Sequence, residues 1–110
     1  MPVLEGKRAV ITGAGRGLGK QFALRYAAEG AKLLLPDIGL ERAEKVAAEI
    51  RDAGGEAFAM RADISSPEDA EAIAVTVQKL YGGVDILLNN AALYYGVERR
   101  PWDGWLKEDW

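Results

Sequence analysis

Thr12-Gly-Ala-Gly-Arg-Gly-Leu-Gly19 is the stretch on which the reading of this chain turns. Its four glycines in seven residues run against helix formation, because a glycine inside a helix costs ~1 kcal/mol relative to alanine. Yet the stretch joins two well-patterned segments. Before it, Arg8-Ala-Val-Ile-Thr12 is a compact β-branched run that suits a buried parallel strand. After it, Leu18, Phe22 and Tyr26, with Ala23 and Ala27, recur at helical spacing, and Gly30 stands at a helix C′ position. Glycine at such a turn lets the backbone fold tightly and lets a ligand approach main-chain N–H groups. The first N–H groups of the helix add partial positive charge, so a pyrophosphate fits there.

The same rhythm continues along the chain. Lys32-Leu-Leu-Leu-Pro36 reads as a second strand, with Pro36 at its last position because proline has no N–H for a ladder. Ala43, Val46, Ala47 and Ile50 form the stripe of a second helix closed by Gly54-Gly55, and Ala57 to Ala62 supply a third strand. Ser66-Pro67-Glu68-Asp69 is a strong helix start, with a hydroxyl N-cap, proline at N1 and carboxylates in the first turn. Ile73, Val77 and Leu80, with Ala70, Ala74 and Tyr81, carry that helix to Gly82-Gly83, and Val84 to Leu88 form a fourth strand. The order β-α-β-α-β-α-β predicts an α/β fold of the Rossmann type. Its doubly wound parallel sheet has strand order 3-2-1-4, with helices on both faces.

Spacing within the glycine stretch separates nucleotide loops. A P-loop needs glycine at Ala14 and a hydroxyl residue at Gln21, and G-x-G-x-x-G begun at Gly13 needs glycine at Leu18, so both fail. The pattern present is T-G-x-x-x-G-x-G, with Gly13, Gly17 and Gly19. In this the chain resembles the short-chain dehydrogenase/reductase family. The resemblance runs continuously from Lys7 to about Ala92, and it implies a nicotinamide dinucleotide held by Gly13, Arg16, Gly17, Leu18 and Gly19.

Asp37, with Ile38 after it, follows the second strand 18 residues beyond Gly19, close to the ~20 expected of an acid that hydrogen-bonds the adenosine ribose. Asp63 matches the family's aspartate beside the adenine, with Ile64 lining the pocket, although an aspartate before a helix also complements the helix dipole. Asn89-Asn90-Ala91-Ala92 is similar to the family's N-N-A-G signature. The resemblance implies that Asn89 pins neighbouring backbone and that Asn90, Ala91 and Ala92 border the nicotinamide-side ribose. Ala92 departs from the family's glycine, at a cost of roughly 1–2 kcal/mol if positive φ is required there. A 2′-phosphate beside Asp37 would face a like charge, worth ~1 kcal/mol at 4 Å in water and ~4 kcal/mol at an effective dielectric of 20. The expected cofactor is therefore NAD, with NADP disfavoured and Arg16 facing solvent or the diphosphate.

Composition bounds the remaining classes. The 110 residues are one domain at most, 49% apolar and 28% charged, an ordinary globular balance. A net charge of −3, with only Arg99-Arg100 as a basic pair, argues against nucleic-acid or anionic-membrane partners. Cysteine and histidine are both absent, which removes disulfides, thiolate and imidazole metal sites and Ser-His-Asp catalysis. No metal site is expected. Met1 to Thr12 holds no long apolar run, and nothing approaches the ~20 residues of a membrane helix, so a cytoplasmic protein is expected.

The family's proton relay uses Tyr-x-x-x-Lys with a serine at the substrate carbonyl. Here Tyr26, Tyr81, Tyr94 and Tyr95 are followed at that spacing by Gly30, Asp85, Glu98 and Arg99, so no catalytic residue is assigned. Tyr94 and Tyr95 are candidates for a substrate cleft, while Trp102, Trp105 and Trp110 read as packing residues. Residues 1–110 are expected to be the dinucleotide-binding part of a longer oxidoreductase that interconverts an alcohol and a carbonyl. That small molecule is its expected partner, and a homo-oligomer the expected state. The chain alone is expected to be inert, and its fourth strand to associate edge to edge. The alternative is a free-standing dinucleotide-binding or sensing module.

Overall fold

In the computed structural model, residues 3–90 are described. Four strands and three helices alternate: β1 (Arg8–Thr12), α1 (Gly17–Ala28), β2 (Lys32–Asp37), α2 (Leu40–Asp52), β3 (Glu56–Arg61), α3 (Pro67–Tyr81) and β4 (Ile86–Asn89). The strands form one sheet in the order β3-β2-β1-β4, and every pairing is parallel. This is the expected doubly wound arrangement.

Alternation along the strands sorts the core into two layers. Ala9, Ile11, Leu33, Leu35 and Ala57 turn to one face, where they meet Ala23 of α1 and Val46, Ala47 and Ile50 of α2. Val10 and Leu34 turn to the other face and meet Val77 of α3, with Met60, Ile73 and Tyr81 packed around them. Ile11, Leu33, Leu34 and Leu35 are completely buried, each contributing about 1.5–3 kcal/mol of transfer free energy. The chain therefore changes faces between β3 and β4, and β4 returns beside β1. The crevice between β1 and β4 is a topological switch point, where open α/β sheets hold ligands at the carboxyl ends of their strands.

Several local expectations need correction. Pro36 is not the last residue of β2, which continues to Asp37. The Pro36 carbonyl accepts the Gly13 amide at 3.0 Å, and on its other side β2 pairs with β3 through Pro36↔Met60 and Asp37↔Arg61. The missing N–H falls at the end of the β1–β2 pairing, whose register runs from Arg8↔Lys32 to Val10↔Leu34. Leu18 lies in the first turn of α1 but is 64% exposed; the buried residues of that helix are Gly19 and Ala23.

The stripe assigned to α3 is also too wide. Val77 alone is buried, while Ala70, Ala74 and Leu80 are exposed, because α3 touches the sheet along a narrow line over Val10 and Leu34. β3 begins one residue earlier than expected, at Glu56, and ends at Arg61. β4 begins two residues later than expected, at Ile86. The residues before it make a clip instead: Asp85 receives the Arg8 backbone amide and Nε at 2.9 Å each and Nη2 at 3.0 Å. The Arg8 guanidinium holds the Asp85 carboxyl well below the usual carboxylate range.

Helix ends follow the sequence closely. Ser66 caps α3 by accepting the Asp69 amide, and Gly82 closes it in the left-handed conformation, φ 78°. α1 differs, since no side chain caps it and no acid lies in its first turn.

Candidate dinucleotide site

The carboxyl ends of all four parallel strands lie along one edge of the sheet, and those singled-out residues that fall among the described ones follow these strand ends. Gly13 and Gly17 have φ of 67° and 59°, backbone that an L side chain rarely adopts. They let the chain leave β1, reverse and enter α1 within a few residues. Gly15 and Gly19 answer a different need, which is space. A methyl on Gly19 would overlap the Gly13 carbonyl and the Asn90 side-chain amide, and one on Gly15 would overlap Asp37 Oδ2 and the Arg42 side chain.

Two neighbouring strands hold the turn from either side. From β4, Asn90 Nδ2 donates to the Gly13 carbonyl at 3.3 Å. The Asn90 amide donates to Thr12 Oγ1 at 3.1 Å, and that hydroxyl donates to Asn89 Oδ1 at 3.0 Å. From β2, Asp37 Oδ2 accepts the Gly15 amide at 2.8 Å, and Oδ1 accepts the Gly39 amide at 2.9 Å.

Asp37 has a third partner that the sequence reading passed over. Arg42, one turn into α2, donates from Nη2 to Oδ1 at 2.8 Å and from Nε to both carboxylate oxygens at 3.1 and 3.3 Å. The Asp37 side chain is 2% exposed and that of Arg42 36%. Burial pushes the Asp37 carboxyl up, but the Arg42 guanidinium and the Gly39 and Gly15 amides outweigh it and hold the group below the ordinary range. The same pairing raises the guanidinium of Arg42.

Asp63 is engaged locally. Its Oδ1 accepts from the Ser65 amide at 2.9 Å and the Ser65 hydroxyl at 2.6 Å, and its own amide donates to Asp69 Oδ2 at 2.8 Å. The Ser65 hydrogen bonds hold its carboxyl below the usual range. Ile64 is half-buried, while Arg16, Leu18 and Ile38 are exposed around the mouth of the turn. Ala91, Ala92, Tyr94, Tyr95 and the three tryptophans lie outside the described residues.

One protein-family model matches the chain across this turn and all four strands. The model described as short chain dehydrogenase matches residues 7–109. The chain belongs to the short chain dehydrogenase family. Among curated members, the 7alpha-hydroxysteroid dehydrogenase of Escherichia coli K12 is 44% identical over 100 residues, which are 91% of this chain and 38% of that protein. A solved 7 alpha-hydroxysteroid dehydrogenase in complex with NADH and 7-oxo glycochenodeoxycholic acid superposes with a TM-score of 0.81 at 44% identity. It covers 91% of this chain and 38% of its own. A metagenomic short-chain oxidoreductase in complex with NADP superposes with a TM-score of 0.78 at 38% identity, over 82% of this chain and 41% of its own. The chain thus spans about two fifths of the length of these relatives.

Within this short chain dehydrogenase chain, neither described tyrosine is placed for proton transfer. The Tyr81 hydroxyl donates to the Leu33 carbonyl at 2.8 Å, and burial raises it well above the ordinary phenol range. Tyr26 packs, partly buried, against the α1–α2 layer. Sequence reasoning missed Gly15 and Arg42. For Gly15 a signal existed, as it is one of four glycines in the turn. For Arg42 the signal was its position five residues after Asp37, where the first turn of the next helix returns over the strand end.

Proposed function

We propose that this chain forms the cofactor-holding part of an oxidoreductase that interconverts an alcohol and a carbonyl, with NAD preferred over NADP. The observation that carries the reading is the Gly15–Asp37 hydrogen bond of 2.8 Å. It joins a glycine turn, opening into a helix without a side-chain cap, to an acid at the end of the neighbouring strand. An anion at the turn would complete the first N–H groups of α1, and an acid one strand away suits ribose hydroxyls.

The residues present fit such a group. Gly15 and Gly19 let Asp37, Arg42, the Gly13 carbonyl and Asn90 close in behind the turn, Gly17 opens onto free space, and the exposed Arg16 and Leu18 border the entrance. Gly13, Gly17 and Gly19 would face the diphosphate, Asp37 and Ile38 the adenosine ribose, and Asp63 and Ile64 the adenine. Asn90, Ala91 and Ala92 would border the nicotinamide-side ribose. A bound nicotinamide supplies hydride transfer. This chain's own part is to bind and orient: the Asn90 and Asp37 side chains fix the turn before any ligand arrives, which lowers the ordering cost of binding. The residues that move the substrate proton are assigned outside these 110, since no Tyr-x-x-x-Lys spacing occurs among them.

The relatives described above support the class of chemistry, because one holds NADH with an oxo steroid and another holds NADP. The test is to follow absorbance at 340 nm while the full-length protein is given NAD with a panel of secondary alcohols. Alcohol-dependent formation of reduced nicotinamide is the expected result. Tight NAD binding without turnover on any alcohol, or on the matching ketones with NADH, would point to a binding module instead.

A further inference from the structure

β3 is one edge of the sheet: among the described residues it pairs only with β2. Backbone groups along a strand point alternately to its two sides. The Ala62 amide donates to the Asp37 carbonyl of β2 at 3.1 Å, so Phe58 and Met60 also turn their backbone groups to β2, and Ala57, Ala59 and Arg61 turn theirs outward. Such an edge is a template for another strand. Its middle, Ala57-Phe-Ala-Met60, holds neither charge nor proline, and Phe58 is 43% exposed. One outward group is nonetheless taken. Arg51, in the last turn of α2, donates from Nη1 to the Ala57 carbonyl at 2.9 Å. Nη2 of the same guanidinium is held by Glu44, two turns back along α2.

We infer that Arg51 guards this edge: it occupies the Ala57 carbonyl and sets a positive charge there, so that a second copy of this chain does not pair through β3. The nature of the excluded partner follows from the strand itself. In an antiparallel pair the outward-facing residues of one copy meet those of the other, and a two-fold axis through Ala59 places Ala57 opposite Arg61 of the second copy. On the α3 side of the sheet Phe58 would then meet Met60, an apolar pair that favours the contact. The guard acts on the other side. The Ala57 carbonyl would have to accept the amide of the second copy's Arg61, and Arg51 has already taken it. Side chains of Ala57 and Arg61 share the α2 side of the sheet, so the incoming Arg61 would also bring its charge against Arg51, and like charges placed opposite each other disfavour pairing. Ala57 lies near the amino end of β3, away from the dinucleotide site at the carboxyl ends.

The test measures the mass of the full-length protein by sedimentation velocity over a range of concentrations, for the wild type, Arg51→Ala and Arg51→Glu, with far-UV circular dichroism to establish folding. Arg51→Ala is expected to gain mass with concentration, to at least about twice that of the wild type, because each freed β3 edge takes one partner. Arg51→Glu should associate at a lower concentration still, since a carboxylate there attracts the second copy's Arg61. Hydrogen exchange should show the Ala57, Ala59 and Arg61 amides slowed in the associated variants relative to the wild type, because these are the groups that the new pairing engages. A folded Arg51→Ala or Arg51→Glu that keeps the wild-type mass at every concentration would overturn the guard. So would association that leaves the exchange of those three amides unchanged.

Discussion

The carboxylate of Asp37 and the amide of Gly15 meet at 2.8 Å, and this contact ties the turn after β1 to the end of β2. Gly15 has an ordinary φ, so it is glycine for the sake of approach rather than conformation: any side chain would enter the space of Asp37 and Arg42. Loop shape and strand-end acid are therefore one unit. A change in either should be felt in the other.

Gly15→Ala tests this coupling. Overpacking of this kind costs typically 1–3 kcal/mol, and that loss of stability is the expected result in urea denaturation. Because the new methyl would press on the Arg42 side chain, Arg42→Ala should relieve part of the loss. A double-mutant cycle should give a coupling of at least about 0.5 kcal/mol. Strict additivity would show that the two residues do not share a space.

Asp37→Ala removes the acceptor of two amides and of a guanidinium. Leaving buried donors unpaired costs about 1–3 kcal/mol, and Arg42, being partly exposed, can return to water and limit the damage. The expected outcome is a fall in stability of that size, together with weaker binding of NAD than of NADP relative to wild type. Equal loss for both cofactors would reduce Asp37 to a fold residue.

Much of this arrangement was legible in the sequence, and the exceptions have physical causes. Strand alternation, the glycine turn and the Ser66 cap are local features, encoded in neighbouring residues, and they stand where expected. The misplacements depend on what lies across the sheet. Pro36 sits inside β2 because β3 continues the pairing as far as Asp37↔Arg61, which β2 cannot announce. Leu18 obeys helical spacing yet stays exposed in the first turn of α1, whose buried residues are Gly19 and Ala23. Ala70, Ala74 and Leu80 share the apolar pattern of α3, but it is Val77, flanked by Ile73 and Tyr81, that meets the narrow ridge of Val10 and Leu34. Arg42 was overlooked for the same reason: its partner lies on another element, and charged residues in a first helical turn ordinarily face water.

Acid should unfold the protein through its engaged carboxylates. Asp37, Asp63 and Asp85 all have native values held below the ordinary range, whereas in the unfolded chain an aspartate titrates near 3.9. Their contribution is fully present above that unfolded value and is lost as the pH falls through the lowered native ones. Denaturation midpoints should be level from pH 7 to about 5 and decline below about 4. Asp85→Asn, which removes the charge beside Arg8, should show a shallower decline. An identical slope would mean that the Arg8–Asp85 clip contributes nothing to acid sensitivity.

Tyr81→Phe separates the fold from the site. The lost hydrogen bond to the Leu33 carbonyl should cost about 0.5–1.5 kcal/mol. Because that contact lies under α3, away from the glycine turn, NAD affinity should not change. A marked loss of NAD binding in a folded Tyr81→Phe would show that α3 packing sets the geometry of the turn.

The central claim is that the turn from Gly13 to Gly19, pinned by Asp37 and Asn90, holds a nicotinamide dinucleotide. Its most direct test is titration of the full-length protein with NAD, beside a Gly19→Ala variant whose methyl would overlap the Gly13 carbonyl and the Asn90 side-chain amide and so displace the turn. The account predicts saturable binding of one NAD per chain in the wild type and its loss in a variant that remains folded. No saturable binding by folded wild type, or undiminished binding by the variant, would contradict it.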